Sequence, residues 1–357
     1  MKVDISGDRF TLDGQKTFLL GASYFDAGNW KRSDLDQLAQ KGFNLVRIWV
    51  DWDNGGNSLA DSNGNLRSPD QLKALVDYAN SRGLVVDVTI LDSYNKEFNP
   101  TSAQRLVNQV LDAVGNKPNV IFDIHNEYNL NGLSQSLGKE LLTAAKNKTD
   151  RPVFISSYGL VQDGGNSTAV NRGNVSTLLG LGTEAISDHF RRGDNWYDQV
   201  DTRVTKLKEA LRAQGKDIPV YLQEEHRNGW TGDFFTTDQL VQAAVEAKTA
   251  GAAAYIFHTD AGFQLGGDKT FFSQLDSAER RAVDQLGRKI FPTGPAPRPT
   301  TPTPTPTTSN LPLNLVGKPV TEPSFLPSLT CHPSRQGALS WKLPPGILTP
   351  PRKPVSS

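Results

Sequence analysis

The stretch Asn119-Val-Ile-Phe-Asp-Ile-His-Asn-Glu127 is a short apolar run that ends in a glutamate, and Val220-Tyr-Leu-Gln-Glu-Glu225 repeats the pattern. Short apolar runs rich in β-branched and aromatic residues predict buried strands. Strand ends usually carry small turn residues, so a carboxylate at such an end must be solvated or used. If both strands belong to one parallel barrel, their carboxyl ends open on the same face and the two glutamates meet there.

Apolar runs of this kind alternate with amphipathic stretches up to residue 291. The eight runs are residues 18–21, 44–50, 84–90, 119–124, 152–156, 185–189, 220–223 and 252–257. Helix signals lie between them, such as Ser68-Pro69 as cap and first residue, Thr101 before a helix over 103–114, and Thr236 before one over 240–250. Eight strand–helix units predict a (β/α)8 TIM barrel.

The alternative fold is a doubly wound open sheet, which needs a glycine-rich phosphate loop after its first strand. The first run is followed by Ala22-Ser-Tyr-Phe-Asp26, without a Gly-x-Gly pattern, and this favours the barrel. Residues 1–17 carry Asp13-Gly14 between two alternating runs and predict an N-terminal hairpin that closes the bottom of the barrel.

Composition changes after Phe291, because 17 of the 22 prolines lie beyond it. We therefore predict a catalytic domain over 1–291, an extended Pro/Thr linker over 292–309 and a disordered tail over 310–357. A truncated accessory module is the alternative for the tail. The single cysteine, Cys331, lies in this tail, so disulfides and a cysteine nucleophile are excluded from the predicted barrel.

The formal net charge is zero, which points to neither nucleic acid nor an anionic membrane as a partner. No run of 18 apolar residues predicts a membrane span, and residues 1–8 lack a signal-peptide pattern. The Pro/Thr linker favours secretion, with the leader absent from this sequence. We expect a monomer.

Polar residues cluster at the predicted strand ends. Arg47 lies within an apolar run, which is costly unless a carboxylate pairs with it. Four of the five histidines follow predicted strands, among them His189 and His258. Such a set indicates a polar cleft at the barrel mouth.

Two carboxylates beside a buried arginine suit cleavage of a glycosidic bond with retention of configuration. That reaction needs one protonated acid and one ionised nucleophile about 5 Å apart. Arg47 would keep the nucleophile ionised, and Asn126 can bond the sugar 2-hydroxyl. No cofactor and no metal is required.

The chain resembles the retaining (β/α)8 glycoside hydrolases of the clan that includes the family 5 cellulases and mannanases. The resemblance rests on the opening Gly7-Asp-Arg-Phe-Thr-Leu-Asp-Gly14, Asn44-Leu-Val-Arg47, His125-Asn126-Glu127, His189 and Pro219-Val-Tyr-Leu-Gln-Glu224. It implies Glu127 as the acid/base and Glu224 as the nucleophile. It further implies that Arg47 supports the nucleophile, that Asn126 bonds the 2-hydroxyl, and that His189 joins the network around both carboxylates.

Three positions depart from the family 5 pattern. Leu91-Asp92-Ser93 stands where a histidine is usual, Arg191 where a tyrosine is usual, and His258 where a tryptophan is usual. The resemblance implies a cellulase-like endo-β-1,4-glucanase, with a β-mannanase or an exo-acting β-glycosidase of the same clan as alternatives.

Adjacent strand residues point to opposite faces, so only one of Glu224 and Glu225 can face the mouth, and the spacing from Pro219 favours Glu224. Flat rings after predicted strands suit stacking on sugars, although core packing explains each one equally well alone. The candidates for substrate binding are Trp49, Trp52, Trp196 and Trp230.

Two other functions remain open. A carbohydrate-binding barrel without turnover would keep the tryptophans but would not need Arg47 and Asn126. A metal-dependent barrel hydrolase would use His125, Glu127, Asp188 and His189 as ligands, yet no His-x-His pair supports it.

Overall fold

The computed structural model describes residues 1–53, 56–92, 98–164, 167–189, 199–225, 227–229 and 234–293. Trp196, Trp230, Arg191 and nearly all of the predicted linker and tail, with Cys331, lie outside the described residues. The linker, the tail and secretion therefore stay predictions.

The described strands comprise a small N-terminal set, a barrel set and one extra hairpin. In chain order they are β1 (Val3–Ser6), β2 (Arg9–Leu12), β3 (Gln15–Lys16), β4 (Leu19–Asp26), β5 (Leu45–Trp49), β6 (Val85–Leu91), β7 (Val120–His125), β8 (Val153–Phe154), β9 (Ser156–Tyr158), β10 (Val161–Gly164), β11 (Ser167–Val170), β12 (Ile186–His189), β13 (Val220–Leu222) and β14 (Ala254–Phe257).

The described helices follow the barrel strands, as the predicted alternation requires. They are α1 (Arg32–Gln40), α2 (Pro69–Ser81), α3 (Pro100–Val114), α4 (Gln135–Lys146), α5 (Arg172–Leu181), α6 (Val200–Arg212), α7 (Thr237–Thr249), α8 (Phe271–Gln274) and α9 (Ser277–Ile290). Short 3-10 helices lie at Ala27–Asn29 and Asp260–Gly262.

Nine strands form one parallel sheet in the order β8, β7, β6, β5, β4, β14, β13, β12, β9. The two strands at the ends of this order, β8 and β9, are separated in the chain only by Ile155. They are two parts of one interrupted barrel strand, so the sheet closes into a barrel of eight strands. The predicted TIM barrel is confirmed, and the open-sheet alternative is wrong.

The helix starts show where local sequence signals succeed. Thr236 caps α7 in a reciprocal capping box with Gln239, as its position predicts. The predicted cap at Thr101 is wrong, because the side chain of Asn99 accepts from the amide of Ser102 and Pro100 is the first helical residue.

The N-terminal strands β1, β2 and β3 form an antiparallel sheet across the bottom of the barrel, as predicted. The amide of Val3 donates to the carbonyl of Pro118 at 2.8 Å. The ring of Phe10 meets that of Tyr221 edge to face at 6.0 Å, inside an apolar cluster of barrel-bottom residues. The bottom of the barrel is therefore sealed, and its interior opens only toward the carboxyl ends of the strands among the described residues.

Side chains of the barrel interior change from apolar to charged along the strands. Leu45, Val85 and Ile121 belong to the apolar bottom cluster, and two residues later each strand places Arg47, Asp87 or Asp123 in the buried interior. This alternation follows from the two-residue period of a strand. In the described part of the chain, no helix is long and apolar enough to cross a membrane.

Candidate active site

Arg47 is fully buried at the centre of the barrel and donates to four side chains. Its guanidinium reaches Glu224 Oε1 at 2.6 Å, Asn126 Oδ1 at 2.8 Å and Asp123 Oδ2 at 3.1 Å, and its Nε reaches the Thr89 hydroxyl at 3.0 Å. The structure thus supplies the acidic partner that the burial of Arg47 requires.

The electrostatics around Arg47 keep it charged. Burial alone would lower the pKa of Arg47, but the carboxylates of Glu224, Asp123 and Asp87 together raise it. Burial raises the pKa of Asp87 to about 7 and also raises that of Asp123, while Arg47 pulls both down. The two aspartates were not predicted as site residues. The sequence feature that could have revealed them is the single aspartate inside each of the apolar strands β6 and β7.

Glu224 follows β13 and faces the mouth of the barrel. It lines the cleft, and its side chain is 9% exposed. Its carboxylate also lies 3.8 Å from His189 Nδ1 and 3.9 Å from His258 Nε2. Glu225 is buried instead. Burial of the Tyr255 phenol raises its pKa, and the nearby charge of Glu225 raises it further. The structure therefore brings Glu224, and not Glu225, to the cleft.

Glu127 is the second residue after β7 and lies on a tight turn. Its φ of 48° is in the left-handed region, where a side chain with a Cβ is disfavoured, and its amide donates to the Ser156 hydroxyl at 3.1 Å. Its Oε1 lies 3.0 Å from His189 Nδ1. The strained turn aims the carboxylate back across the mouth toward Glu224 rather than into solvent.

The two glutamates and His189 form one compact group. One ligand atom each from Glu127, His189 and Glu224 lie within 4.8 Å of one another. Burial would lower the pKa of His189, but the neighbouring Glu224 and Glu127 carboxylates raise it overall. This geometry could hold a cation, although the guanidinium of Arg47 already places positive charge against Glu224.

Aromatic rings line one side of the cleft, which has a volume of about 790 Å³. Phe25 stacks on Trp49 at 4.1 Å and on Phe263 at 4.6 Å, and the indole of Trp52 donates to the Phe263 carbonyl at 2.8 Å. His258 lies beside this stack, 5.7 Å from the Phe25 ring. Trp49 and Trp52 thus reach the predicted site, and Phe25 and Phe263 join them without having been predicted.

The ligands of the metal hypothesis do not converge. His125 Nδ1 lies 2.8 Å from the carbonyl of Asn126, and burial lowers the pKa of His125 to about 4. Asp188 accepts the amides of Leu160 and Val161 and holds the chain that follows β9. Only Glu127 and His189 of the four hypothetical ligands belong to the compact group.

The chain is similar to known proteins both in sequence and in fold. Residues 3–149 match the model of a family described as Cellulase (glycosyl hydrolase family 5). Endoglucanase B of Ruminococcus albus is 25% identical over 226 residues, which cover 53% of this chain and 54% of that protein. The matched region thus spans about half the length of that curated relative.

Solved structures share the fold at low sequence identity. An endo-1,4-beta-mannanase from Rhizomucor miehei has a TM-score of 0.55 and 16% identity, covering 81% of this chain and 99% of its own. A GH5-4 broad specificity endoglucanase from Bacteroides salanitronis has a TM-score of 0.50 and 15% identity, covering 77% and 93%. These similarities establish the barrel.

A (β/α)8 barrel with two facing glutamates at the carboxyl ends of its strands defines the class of barrel glycosidases. The family match over residues 3–149 and the endoglucanase relative place this chain more narrowly. Over these residues the chain is similar to the glycoside hydrolases of the clan that includes family 5.

Proposed function

We propose that this chain cleaves β-linked polysaccharide with retention of configuration, by double displacement. The observation that carries the proposal is the approach of Glu127 and Glu224, whose carboxylate oxygens lie within 4.8 Å across the cleft. Retaining glycosidases place their two carboxyl groups about 5–5.5 Å apart, whereas inverting enzymes leave about 6.5–9.5 Å for a water molecule.

Glu224 is the nucleophile of the proposed reaction. The hydrogen bond from Arg47 favours its ionised form, so it is ready to attack the anomeric carbon. Attack forms a bond from Glu224 to the sugar as the bond to the leaving oxygen breaks. The intermediate is then a glycosyl ester of Glu224.

Glu127 is the acid and then the base. It gives its proton to the leaving oxygen in the first step, and as a carboxylate it takes a proton from water in the second. Water then attacks the anomeric carbon and frees Glu224. The 3.0 Å contact with His189 Nδ1 gives Glu127 a neighbour that can hold or return a proton.

Asn126 is placed to assist both steps. Its Oδ1 accepts from Arg47, so its amide nitrogen is turned toward the cleft that it lines. A donor there suits the sugar 2-hydroxyl, whose hydrogen bond strengthens as positive charge develops on the ring.

For the substrate we propose a β-1,4-glucan cleaved internally, in line with the endoglucanase relative. The partly exposed rings of Trp52 and Phe263, which line the cleft, offer flat apolar surface for pyranose faces, and the buried Phe25 supports Phe263 from behind. The mannanase among the structural neighbours makes β-mannan the competing substrate.

The test is reducing-sugar release by the full chain on carboxymethyl-cellulose, mixed-linkage β-glucan, glucomannan, galactomannan and xylan, with Glu127→Gln as the control. Activity on the glucans that vanishes in the variant supports the proposal. Activity confined to the mannans would make β-mannan the substrate instead of β-1,4-glucan. Binding without turnover makes the protein a carbohydrate-binding barrel and overturns the proposed reaction.

A further inference from the structure

Gln223 lies directly before Glu224, and its amide is buried between two polar side chains. Its Nε2 donates to Asp87 Oδ2 at 2.6 Å, and its Oε1 lies 3.1 Å from Nε2 of His189. The hydroxyl of Ser187 donates to the same Oε1. Gln223 thus joins a buried aspartate to the histidine that contacts Glu127.

The surroundings of Asp87 determine which way the amide of Gln223 points. Asp87 Oδ2 accepts the phenol of Tyr221 at 2.7 Å, and Nε of Arg47 lies 3.8 Å away and favours the ionised carboxylate. Burial raises the pKa of Asp87 to about 7, so above that pH rotating the amide by half a turn would set its oxygen against an ionised carboxylate, with no proton between them. The amide oxygen of Gln223 therefore faces His189.

An amide oxygen only accepts hydrogen bonds, so the proton of a neutral His189 must lie on Nε2. Nδ1 then faces Glu127 Oε1 at 3.0 Å without a proton of its own. A single proton fits between them, carried either by Glu127 as a carboxylic acid or by His189 as an imidazolium.

We propose that Gln223 is a positioning residue that keeps the proton of His189 on Nε2, so that Nδ1 and Glu127 share the proton used in acid–base catalysis. The inference rests on the proposed function for its consequence in turnover. The tautomer itself is a property of the free protein, so it can be measured without any substrate.

Charged groups around His189 set the direction of the effect. The carboxylates of Glu224 and Glu127 favour the imidazolium of His189, and the guanidinium of Arg47 disfavours it. The carboxyl groups of Asp123 and the adjacent Asp188 also interact electrostatically with the His189 ring. Without the acceptor of Gln223, the neutral ring can move its proton to Nδ1 and donate to an ionised Glu127. The pair then gives up its shared proton at a lower pH.

The experiment uses the full chain with ¹⁵N-labelled histidine and long-range ¹H–¹⁵N NMR, with the His189 signals assigned by their loss in His189→Asn. Above the pKa of His189, the unmodified protein should show a protonated Nε2. Gln223→Met keeps the volume but removes the acceptor, and it should shift the neutral ring toward the Nδ1–H form. Ser187→Ala, which removes only the second donor to Gln223, should leave the tautomer unchanged.

The same variants give a kinetic readout that simple loss of packing would not produce. In Gln223→Met the basic limb of the kcat/KM profile should move to lower pH by about one unit, because the imidazolium loses the acceptor at Nε2 and Asp87 loses a donor that supports its negative charge. Gln223→Glu restores an acceptor and should return the proton to Nε2.

A protonated Nδ1 in the unmodified protein overturns the inference, and so does an unchanged tautomer in Gln223→Met. If Gln223→Met does not fold, the unmodified protein and Gln223→Glu still decide. A correct tautomer in a chain that cleaves no polysaccharide would refute the proposed function while leaving the role of Gln223 in the tautomer intact.

Discussion

The guanidinium of Arg47 donates to Glu224 Oε1 at 2.6 Å, although the arginine has no contact with solvent. A buried cation of this kind is tolerated because Glu224, Asp123 and Asp87 surround it. The pair connects the charged interior of the barrel to the cleft. The nucleophile of the proposed reaction is thus held by the same contact that stabilises the buried charge.

Replacing Arg47 tests this connection. Arg47→Met should lower kcat by at least about 100-fold, because it removes the charge that keeps Glu224 ionised and leaves buried carboxylates unpaired. It should also cost about 3–5 kcal/mol of stability for the broken buried pair. Steady-state kinetics and urea unfolding measure the two effects, and a stable variant with full activity would contradict the assigned role.

Removing the carboxyl group of Glu127 should separate the two chemical steps. Glu127→Ala should retain turnover on aryl glycosides with good leaving groups, because these need no proton in the first step. Added azide should accelerate it by attacking the glycosyl ester, whereas Glu224→Ala should lose turnover under all of these conditions. Equal and complete loss in both variants, without azide rescue, would contradict the assignment of roles.

The barrel bottom should be more sensitive to truncation than an exposed aromatic position. Phe10→Ala removes a fully buried ring from the apolar bottom cluster and should cost about 3–5 kcal/mol of unfolding free energy. Phe234, at 75% exposure, provides the matched control, and Phe234→Ala should change stability by no more than about 0.5 kcal/mol. Similar losses in both variants would show that the N-terminal sheet does not seal the core.

The sequence predicted the barrel well because its evidence is local. Each strand is an apolar run, and a cap such as Thr236 acts within three residues. Arg47 was recognised from its burial inside such a run. Phe25 and Phe263 were missed because they meet only through the closure of β4 against β14, a contact between the two ends of the barrel sequence.

The polar interior was missed for a related reason. Asp87 and Gln223 lie far apart in sequence, and their contact depends on which strand positions face inward at the same height in the barrel. A one-residue change of register would turn either side chain outward. The spacing of residues along the chain does not show that Asp87 and Gln223 lie at the same level of the barrel, whereas the register of the closed sheet does.

Glu279 should make stability depend on pH in a defined window. It belongs to the capping box of α9 and is 6% exposed, and burial raises its pKa from 4.5 to about 7. The folded state therefore binds this proton more tightly, so the contribution to stability is present below pH 4.5 and is lost as pH rises to about 7.

Glu279→Gln should remove this pH dependence, because its amide oxygen can still accept from the Asp276 amide. In urea unfolding, the unmodified protein should lose on the order of 2 kcal/mol more than the variant between pH 4.5 and 7. Parallel stability curves for the two proteins would show that Glu279 titrates normally.

The most direct test of the central claim is to trap the glycosyl ester. The full chain is treated with an activated 2-deoxy-2-fluoro-β-cellobioside and digested, and the peptide that carries the sugar is identified by mass spectrometry. We predict one sugar per chain, attached to Glu224. Attachment to Glu225 or Glu127, or turnover of the reagent with an inverted product and no adduct, would contradict double displacement at Glu224.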